Sequence, residues 1–259
     1  MNIATDILFG VLPAFALVGF MSVALMYWAA FRAAHRPRKR AFLIEYFYWL
    51  TDPIINLLVA MGVTPNMVTG SSLIFSIGAA IAASQGLFFT TLFIMLIGAS
   101  CDVFDGQVAR RSNAQSQSGA FLDSFMDRLS EGALFAGIAW FGGGGLLSLI
   151  AFLAMVSSFS VSYARARGES LGVVANFGIM QRPTRMVMML FLLLFAGTAT
   201  ALEFVTITPE VLLSVGIGIL AVLSAGTAVH RVRFIMKALS QPVRPPIELH
   251  SPPPTKSAA

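Results

Sequence analysis

Charged residues are scarce in this sequence: Asp, Glu, Lys and Arg make up 11% of its 259 residues, whereas 57% are hydrophobic. A soluble domain is about half apolar and about a quarter charged, so this scarcity predicts an integral membrane protein. Cysteine is almost absent, and the single Cys101 excludes an internal disulfide or a thiolate metal site. The net charge of +5 does not indicate nucleic-acid binding, because the basic residues are scattered between apolar segments.

Long apolar segments make up most of the chain. Because about 20 apolar residues are enough for a helix to cross a bilayer, the sequence predicts seven transmembrane helices. The third and fourth segments also contain aspartates, so their mean hydropathy underestimates their tendency to span the membrane. The expected spans are about 6–31, 66–86, 88–109, 119–141, 145–167, 184–203 and 209–236.

Segment 42–61 differs from these spans. It has Glu45 and Asp52 among aromatic residues and Pro53 near its middle. These features predict an amphipathic helix that lies on the membrane surface and is broken or bent at the proline. At the other end of the chain, the proline-rich segment 241–259 is predicted to be disordered.

Lys and Arg are absent from every second connection between the predicted spans. The connections near 84–87, 142–145 and 201–210 contain neither residue. Basic connections face the cytoplasm in most membrane proteins, so the sequence predicts a cytoplasmic side and an outward-facing N-terminus. The basic residues on that cytoplasmic side lie at 32–40, 110–111, 165–185 and 231–256.

Four aspartates stand within otherwise apolar helices: Asp102, Asp105, Asp123 and Asp127. Each unpaired Asp at a helix centre costs about 2.5–3.5 kcal/mol on insertion scales, so the chain must neutralise these carboxylates. Spacings of three and four residues put each pair on one helix face. A short connection makes the two helices antiparallel neighbours. Four facing carboxylates can enclose one or two hard cations, so the pattern predicts a Mg²⁺ or Mn²⁺ site.

Small residues and an arginine lie between the aspartate pairs. Gly106, Ala109 and Gly119 leave room for a ligand to approach the backbone, and Arg110 can present a planar fork to a phosphate. Small residues in membrane helices also serve helix packing. The aspartates that flank them favour ligand approach, so the segment predicts a combined metal and nucleotide site.

These residues together resemble the signature of the CDP-alcohol phosphotransferase (phosphatidyltransferase) family. The resemblance implies an all-α integral membrane protein, with a six-helix catalytic domain at 65–240 after an interfacial helix and turn at 41–64. The transmembrane helix and basic linker at 1–40 are additional to that core, and 241–259 is a tail. The eight signature positions are Asp102, Asp105, Gly106, Ala109, Arg110, Gly119, Asp123 and Asp127.

The family resemblance implies transfer of the phosphatidyl group from CDP-diacylglycerol to a polar alcohol, with release of CMP, in phospholipid biosynthesis. It implies a homodimer in a bacterial or archaeal cell membrane, with a site that faces the cytoplasm. Asp127 would be the general base that accepts the proton of the alcohol. The metal ligands would be Asp102, Asp105, Asp123 and Asp127, and the nucleotide contacts Asp105, Gly106, Ala109, Arg110 and Gly119.

Three arginines indicate the acceptor. Arg165, Arg182 and Arg185 lie at the ends of the fifth and sixth spans, where they can converge beside the aspartates. A cluster of arginines suits a phosphorylated, anionic alcohol, although arginines at these positions also set membrane topology.

The runs 162–169 and 178–185 resemble the phosphatidylinositol phosphate synthase branch of the family, which implies inositol 1-phosphate as the acceptor. Gly168, Gln181 and Thr184 depart from the pattern of that branch. Glycerol 3-phosphate, as in phosphatidylglycerophosphate synthase, and free inositol therefore stay open as acceptors.

Two other classes use aspartates within membrane helices. Intramembrane prenyltransferases bind a diphosphate through aspartate pairs and Mg²⁺, but those pairs lie farther apart in sequence than Asp102 and Asp127. A divalent-cation channel or carrier would give Gly106 and Gly119 no role, and an arginine such as Arg110 beside a cation path would be unfavourable. Both alternatives are therefore remote.

Overall fold

The computed structural model describes residues 42–201 and 207–240, and within them every regular element is an α-helix. The predicted span at 6–31, its basic linker and the segment 241–259 lie outside the described residues. The helices, numbered in chain order, are α1 (Phe42–Ala60), α2 (Pro65–Ser84), α3 (Phe88–Arg111), α4 (Gln117–Phe141), α5 (Leu146–Ser170), α6 (Arg182–Ala201) and α7 (Pro209–Leu239).

Helices α2 to α7 correspond one to one with the six predicted spans from residue 66 onward. Five of them, all except α4, are long and apolar enough to cross a membrane. Helix α4 has a comparable length of 25 residues but carries the second aspartate pair. Helices α3, α5 and α7 extend two or three residues beyond their predicted ends. The added residues of α3 and α7 include Arg110, Arg111 and Lys237, whose long side chains can reach the membrane interface.

Helix α1 continues through Pro53, so a break at the proline is not observed. Tertiary contacts beyond the proline stabilise the helix. Ile55 is fully buried and packs in a small cluster with Val108 of α3. Arg111 at the end of α3 binds the side chain of Asp52. Helix α1 is therefore attached to α3 by both apolar and polar contacts.

Side-chain caps define where two helices of the bundle begin. Thr64 accepts a hydrogen bond from the backbone N–H of Met67 at 3.4 Å, and Pro65 follows at the first helical position of α2. Ser116 accepts a bond from the N–H of Gly119 at 3.0 Å and starts α4. Both helices begin at the end of the bundle where α3 finishes, so the polar residues of all three helices meet there.

An apolar core lies beyond this polar end and joins the six helices α2 to α7. The packing is close where α2 meets α4. A Cβ atom on Gly137 would lie 2.2 Å from the carbonyl oxygen of Ala80, so only glycine permits this approach. The core therefore holds α2 and α4 at a defined distance below the polar end. Its fully buried members include Leu92, Ile138, Leu147, Leu190, Leu193, Leu213 and Ile217.

Candidate active site

The first aspartate of α3 and the last aspartate of α4 meet at one guanidinium group. Nη2 of Arg182, at the start of α6, lies 2.5 Å from Oδ2 of Asp102 and also contacts Oδ1 of Asp127. Asp102 and Asp127 thus approach a single nitrogen from two helices. The antiparallel arrangement that the sequence predicts brings these carboxylates together.

The other two aspartates face a common cavity. Asp105 is 7% exposed and accepts a hydrogen bond from the Oγ1 atom of Thr69 on α2 at 2.7 Å. Asp123 lines the same cavity from α4. Each predicted pair is therefore divided: one member faces Arg182, and the other faces the cavity between α2, α3 and α4.

The donor set fits a hard divalent cation by its chemistry. Within residues 42–201 and 207–240, no three carboxylate, imidazole or thiol groups stand in a ready-made metal-ligand arrangement. Asp102 and Asp127 nevertheless already share one cation, the guanidinium of Arg182. One guanidinium offsets only one of four negative charges, and carboxylate oxygens are the ligands that Mg²⁺ and Mn²⁺ prefer.

All of the predicted nucleotide-binding residues line one cavity of about 260 Å³. The cavity is also lined by Asn66 and Thr69 of α2 and by Ser116 of the α3–α4 connection. These two α2 residues were not predicted as part of the site, because they lie outside the signature in sequence. The predicted residues in this wall are Asp105, Gly106, Ala109, Arg110 and Gly119.

The two glycines of this cavity have close polar neighbours. A Cβ on Gly106 would lie 3.6 Å from Nη1 of Arg110, and one on Gly119 would lie 3.1 Å from Oγ of Ser116. Larger side chains at these positions would extend into the space between α3 and α4. The small residues thus leave the cavity open beside a cation and two carboxylates, an arrangement suited to a phosphate ligand.

A second cavity of about 800 Å³ lies between α4, α5 and α6. Asp127 lines it, as do the three predicted acceptor arginines, Arg165, Arg182 and Arg185. The structure therefore brings these three arginines together beside the last aspartate. Five arginines line the cavity against three carboxylates, since Arg128 and Arg231 join the three predicted ones and face Asp127, Glu131 and Glu169.

Arg185 and Arg165 are held by acidic partners. Arg185 is 2% exposed; its Nε and Nη2 donate to the two oxygens of Glu131 at 2.6 and 2.7 Å, and its Nη1 donates to the carbonyl of Met180 at 3.0 Å. Nε of Arg165 donates to Oε1 of Glu169 at 2.8 Å in a more exposed pair. Arg185 is consequently rigid, whereas Arg165 can change partners at low cost.

Arg231 was not predicted as a site residue, because its position after the last span is also explained by membrane topology. Its side chain is only 2% exposed, and it donates to the carbonyl oxygens of Phe177 and Val161 at 2.8 and 2.9 Å. Both of these partners are neutral carbonyl oxygens, so the hydrogen bonds hold the guanidinium in place without neutralising its charge. No local motif marks this position, because the contacts join α7 to residues 54 and 70 positions away.

Asp127 lies where the parts of the site meet. It lines the arginine-rich cavity and also a small chamber of about 50 Å³ that Asp102 and Arg182 share. Asp123, one helical turn earlier on α4, lines the smaller nucleotide cavity. The two aspartates of α4 therefore line one cavity each.

The chain is similar in sequence to known proteins. A family model described as CDP-alcohol phosphatidyltransferase matches residues 62–229. The phosphatidylinositol phosphate synthase of Streptomyces avermitilis is 35% identical over 212 residues, which cover 78% of this chain and 85% of the relative. The enzyme of the same description from Mycobacteroides abscessus is 36% identical over 162 residues, 59% of this chain and 72% of that one.

Crystal structures of the phosphatidylinositol phosphate synthase of Mycobacterium tuberculosis have a similar fold. One with CDP-DAG bound matches with a TM-score of 0.62 at 30% identity and covers 71% of this chain and 92% of that one. Another, in complex with manganese and citrate, matches with a TM-score of 0.63 at 30% identity, over 72% and 88% of the two chains.

Proposed function

Since the chain belongs to the CDP-alcohol phosphatidyltransferase family, we propose that it transfers the phosphatidyl group of CDP-diacylglycerol to inositol 1-phosphate and releases CMP. Family membership makes it an integral membrane transferase of phospholipid biosynthesis with a divalent-metal cofactor. It also removes the prenyltransferase and cation-carrier alternatives. The observation that carries the proposal is the arginine-rich cavity that opens beside Asp127.

In this proposal the nucleotide of the donor binds in the smaller cavity. We assign Asp102, Asp105, Asp123 and Asp127 to the metal, which when bound offsets negative charge on the diphosphate and activates its phosphorus. The backbone beside Gly106, Ala109 and Gly119 accommodates the CDP moiety, and Arg110 binds a phosphate oxygen. The position of Asp105 and Asp123 in the wall of this cavity, which Arg110 also lines, supports the assignment.

Asp127 is the proposed general base. Its carboxylate accepts the proton of the acceptor hydroxyl while the hydroxyl oxygen forms a bond to the β-phosphorus, the one that bears diacylglycerol. The bond from that phosphorus to the bridging oxygen of the diphosphate breaks, and CMP leaves with the electron pair. The contact of Asp127 with Arg182 supports this role, because a guanidinium on one oxygen orients the carboxylate toward the acceptor cavity.

The charge of the larger cavity favours a phosphorylated acceptor. We assign the acceptor phosphate to Arg165, Arg182 and Arg185, assisted by Arg231. Arg185 is fixed by Glu131 before any ligand arrives, which reduces the entropy lost on binding. Five arginines exceed the three carboxylates of the cavity, and an uncharged alcohol such as free inositol would leave this excess of positive charge without a counter-ion. The phosphatidylinositol phosphate synthases among the relatives support inositol 1-phosphate in particular.

Release of CMP by the purified full-length protein tests the proposal. The protein is given CDP-diacylglycerol and Mn²⁺ with inositol 1-phosphate, glycerol 3-phosphate, free inositol or no acceptor. We expect CMP with inositol 1-phosphate only, and none after chelation with EDTA. Asp127→Asn removes the proposed general base, and we expect its turnover to fall by about 10²–10⁴-fold. CMP release with another acceptor alone would reassign the substrate, and no release with any acceptor would refute the transferase.

We further propose that the site faces the cytoplasm, that the N-terminus faces outward and that the enzyme is a homodimer. The basic residues at the ends of α3, α5 and α7 support the orientation, and the dimer is proposed from the resemblance to the family alone. We retain the four-region organisation: an N-terminal span and linker, an interfacial helix, the catalytic domain 65–240 and a tail.

A further inference from the structure

One contact of the site comes from outside the signature. We propose that Thr69 of α2 is a positioning residue: its hydroxyl holds the carboxylate of Asp105 in the orientation that the metal requires. The inference rests on the proposed function, because it assumes that Asp105 is a metal ligand. The signature lies entirely on α3, α4 and their connection, so it does not include this residue.

The geometry identifies Thr69 as the donor. Oγ1 of Thr69 lies 2.7 Å from Oδ2 of Asp105, and an ionised carboxylate can only accept. The same hydroxyl lies 3.1 Å from the carbonyl oxygen of Pro65, one turn earlier on α2. A hydroxyl has one proton, and the nearer, charged acceptor binds it more strongly. The proton therefore belongs mainly to the bond with Asp105.

Burial makes this bond difficult to replace. Thr69 is 4% exposed and Asp105 is 7% exposed. Bulk water therefore has little access to Oδ2 if the hydroxyl is removed, and a buried acceptor without a donor is costly. The carboxylate would rotate to find another partner. Such groups behind a metal ligand typically contribute about 10–100-fold to metal affinity.

Two other roles for Thr69 predict different results. A residue that only stabilises α2 through its bond to Pro65 would change the unfolding temperature without changing metal affinity. A residue that only contacts the nucleotide, since Thr69 also lines that cavity, would change nucleotide affinity and leave binding of metal alone intact. Binding of Mn²⁺ in the absence of nucleotide therefore isolates the positioning role.

The experiment measures the dissociation constant of Mn²⁺ alone by electron paramagnetic resonance of the free ion, on the purified full-length protein. Thr69→Val keeps the shape of the side chain and removes the donor, and we expect about 10–100-fold weaker binding. Thr69→Ser keeps the donor, and we expect affinity near that of the wild type. Thr69→Ala replaces the valine variant if that one does not fold.

Ser72→Ala is the matched control. Ser72 is also buried on α2, and its hydroxyl donates to the carbonyl of Thr69 at 2.8 Å. We expect this variant to bind Mn²⁺ like the wild type. Wild-type affinity in Thr69→Val, or an equal loss in Ser72→Ala, would overturn the inference.

Asp105→Asn tests separately whether Asp105 binds the metal, which the positioning role of Thr69 assumes. We expect this variant to lose Mn²⁺ affinity at least as strongly as Thr69→Val. If Asp105→Asn weakens binding and Thr69→Val does not, the positioning role fails while the metal assignment stands. If Asp105→Asn binds Mn²⁺ like the wild type, the metal assignment fails and the inference with it.

Discussion

At the scale of single residues, the arginines of the larger cavity differ in what holds them. Arg185 is buried in a two-bond ion pair with Glu131, and Arg231 is anchored by backbone carbonyls. Arg165 has a single bond to Glu169 near the surface. A ligand phosphate can therefore recruit Arg165 without breaking the core of the bundle, so this residue offers the clearest test of acceptor binding.

Replacing Arg165 separates acceptor binding from general charge effects. Arg165→Ala should raise the KM for inositol 1-phosphate by about 10–100-fold, because a hydrogen bond to a charged group contributes about 1.5–3 kcal/mol. The KM for CDP-diacylglycerol should not change. Arg167→Ala is the control, since Arg167 lies two residues away and contacts Ser170. Steady-state CMP release measures both constants. Equal changes in the two KM values, or in the two variants, would contradict the acceptor role.

At the scale of helices, the site depends on how closely α2 approaches α4. Helix α2 supplies Asn66 and Thr69 to the nucleotide cavity, and α4 supplies Asp123. Gly137, near the far end of α4, lets the two helices pack with backbone in contact. A wider separation there would tilt one helix relative to the other and change the distances at the polar end.

Gly137→Ala should therefore destabilise the protein. The added Cβ would lie 2.2 Å from the backbone oxygen of Ala80, which cannot move as a side chain can. We expect a loss of about 1–3 kcal/mol, which is typical of overpacking, visible as a lower unfolding temperature in detergent and a lower turnover. Gly226→Ala on α7 is the control, because its Cβ would meet no atom within 4 Å. An unchanged unfolding temperature for Gly137→Ala would contradict the close approach.

At the scale of the whole molecule, the charge distribution sets the proposed orientation. Polar site residues, arginine-rich helix ends and both cavities occupy one end of the bundle. The connections at the opposite end, near 84–87 and 142–145, contain no Lys or Arg. Cytoplasmic placement of the site would give a water-soluble acceptor direct access, while the acyl chains of the donor stay in the lipid.

Two exposed glutamines test this orientation. In a chain with Cys101→Ala, Gln85→Cys places a thiol in the α2–α3 connection, and Gln115→Cys places one in the α3–α4 connection. We expect a membrane-impermeant maleimide to label residue 85 and not residue 115 in intact cells that express the protein, and to label both after permeabilisation. Labelling of residue 115 alone in intact cells would reverse the proposed topology.

Helix positions and the aspartate pairs could be predicted because they depend on local periodicity. Spans from residue 66 onward agree with α2–α7 within three residues at each end. The continuity of α1 through Pro53 could not be predicted, because it depends on Ile55 packing against α3. Thr69 and Arg231 could not be identified either, since neither lies near the signature in sequence.

By itself, the sequence determined that this is a membrane enzyme with carboxylates paired on helix faces, because helical geometry relates residues three or four apart. Only the tertiary structure decided which groups those carboxylates meet. Thr69 is 36 residues from Asp105, and Arg182 is 80 residues from Asp102. Contacts over such separations depend on how the helices pack, and helix packing is set by the whole apolar core rather than by any local spacing.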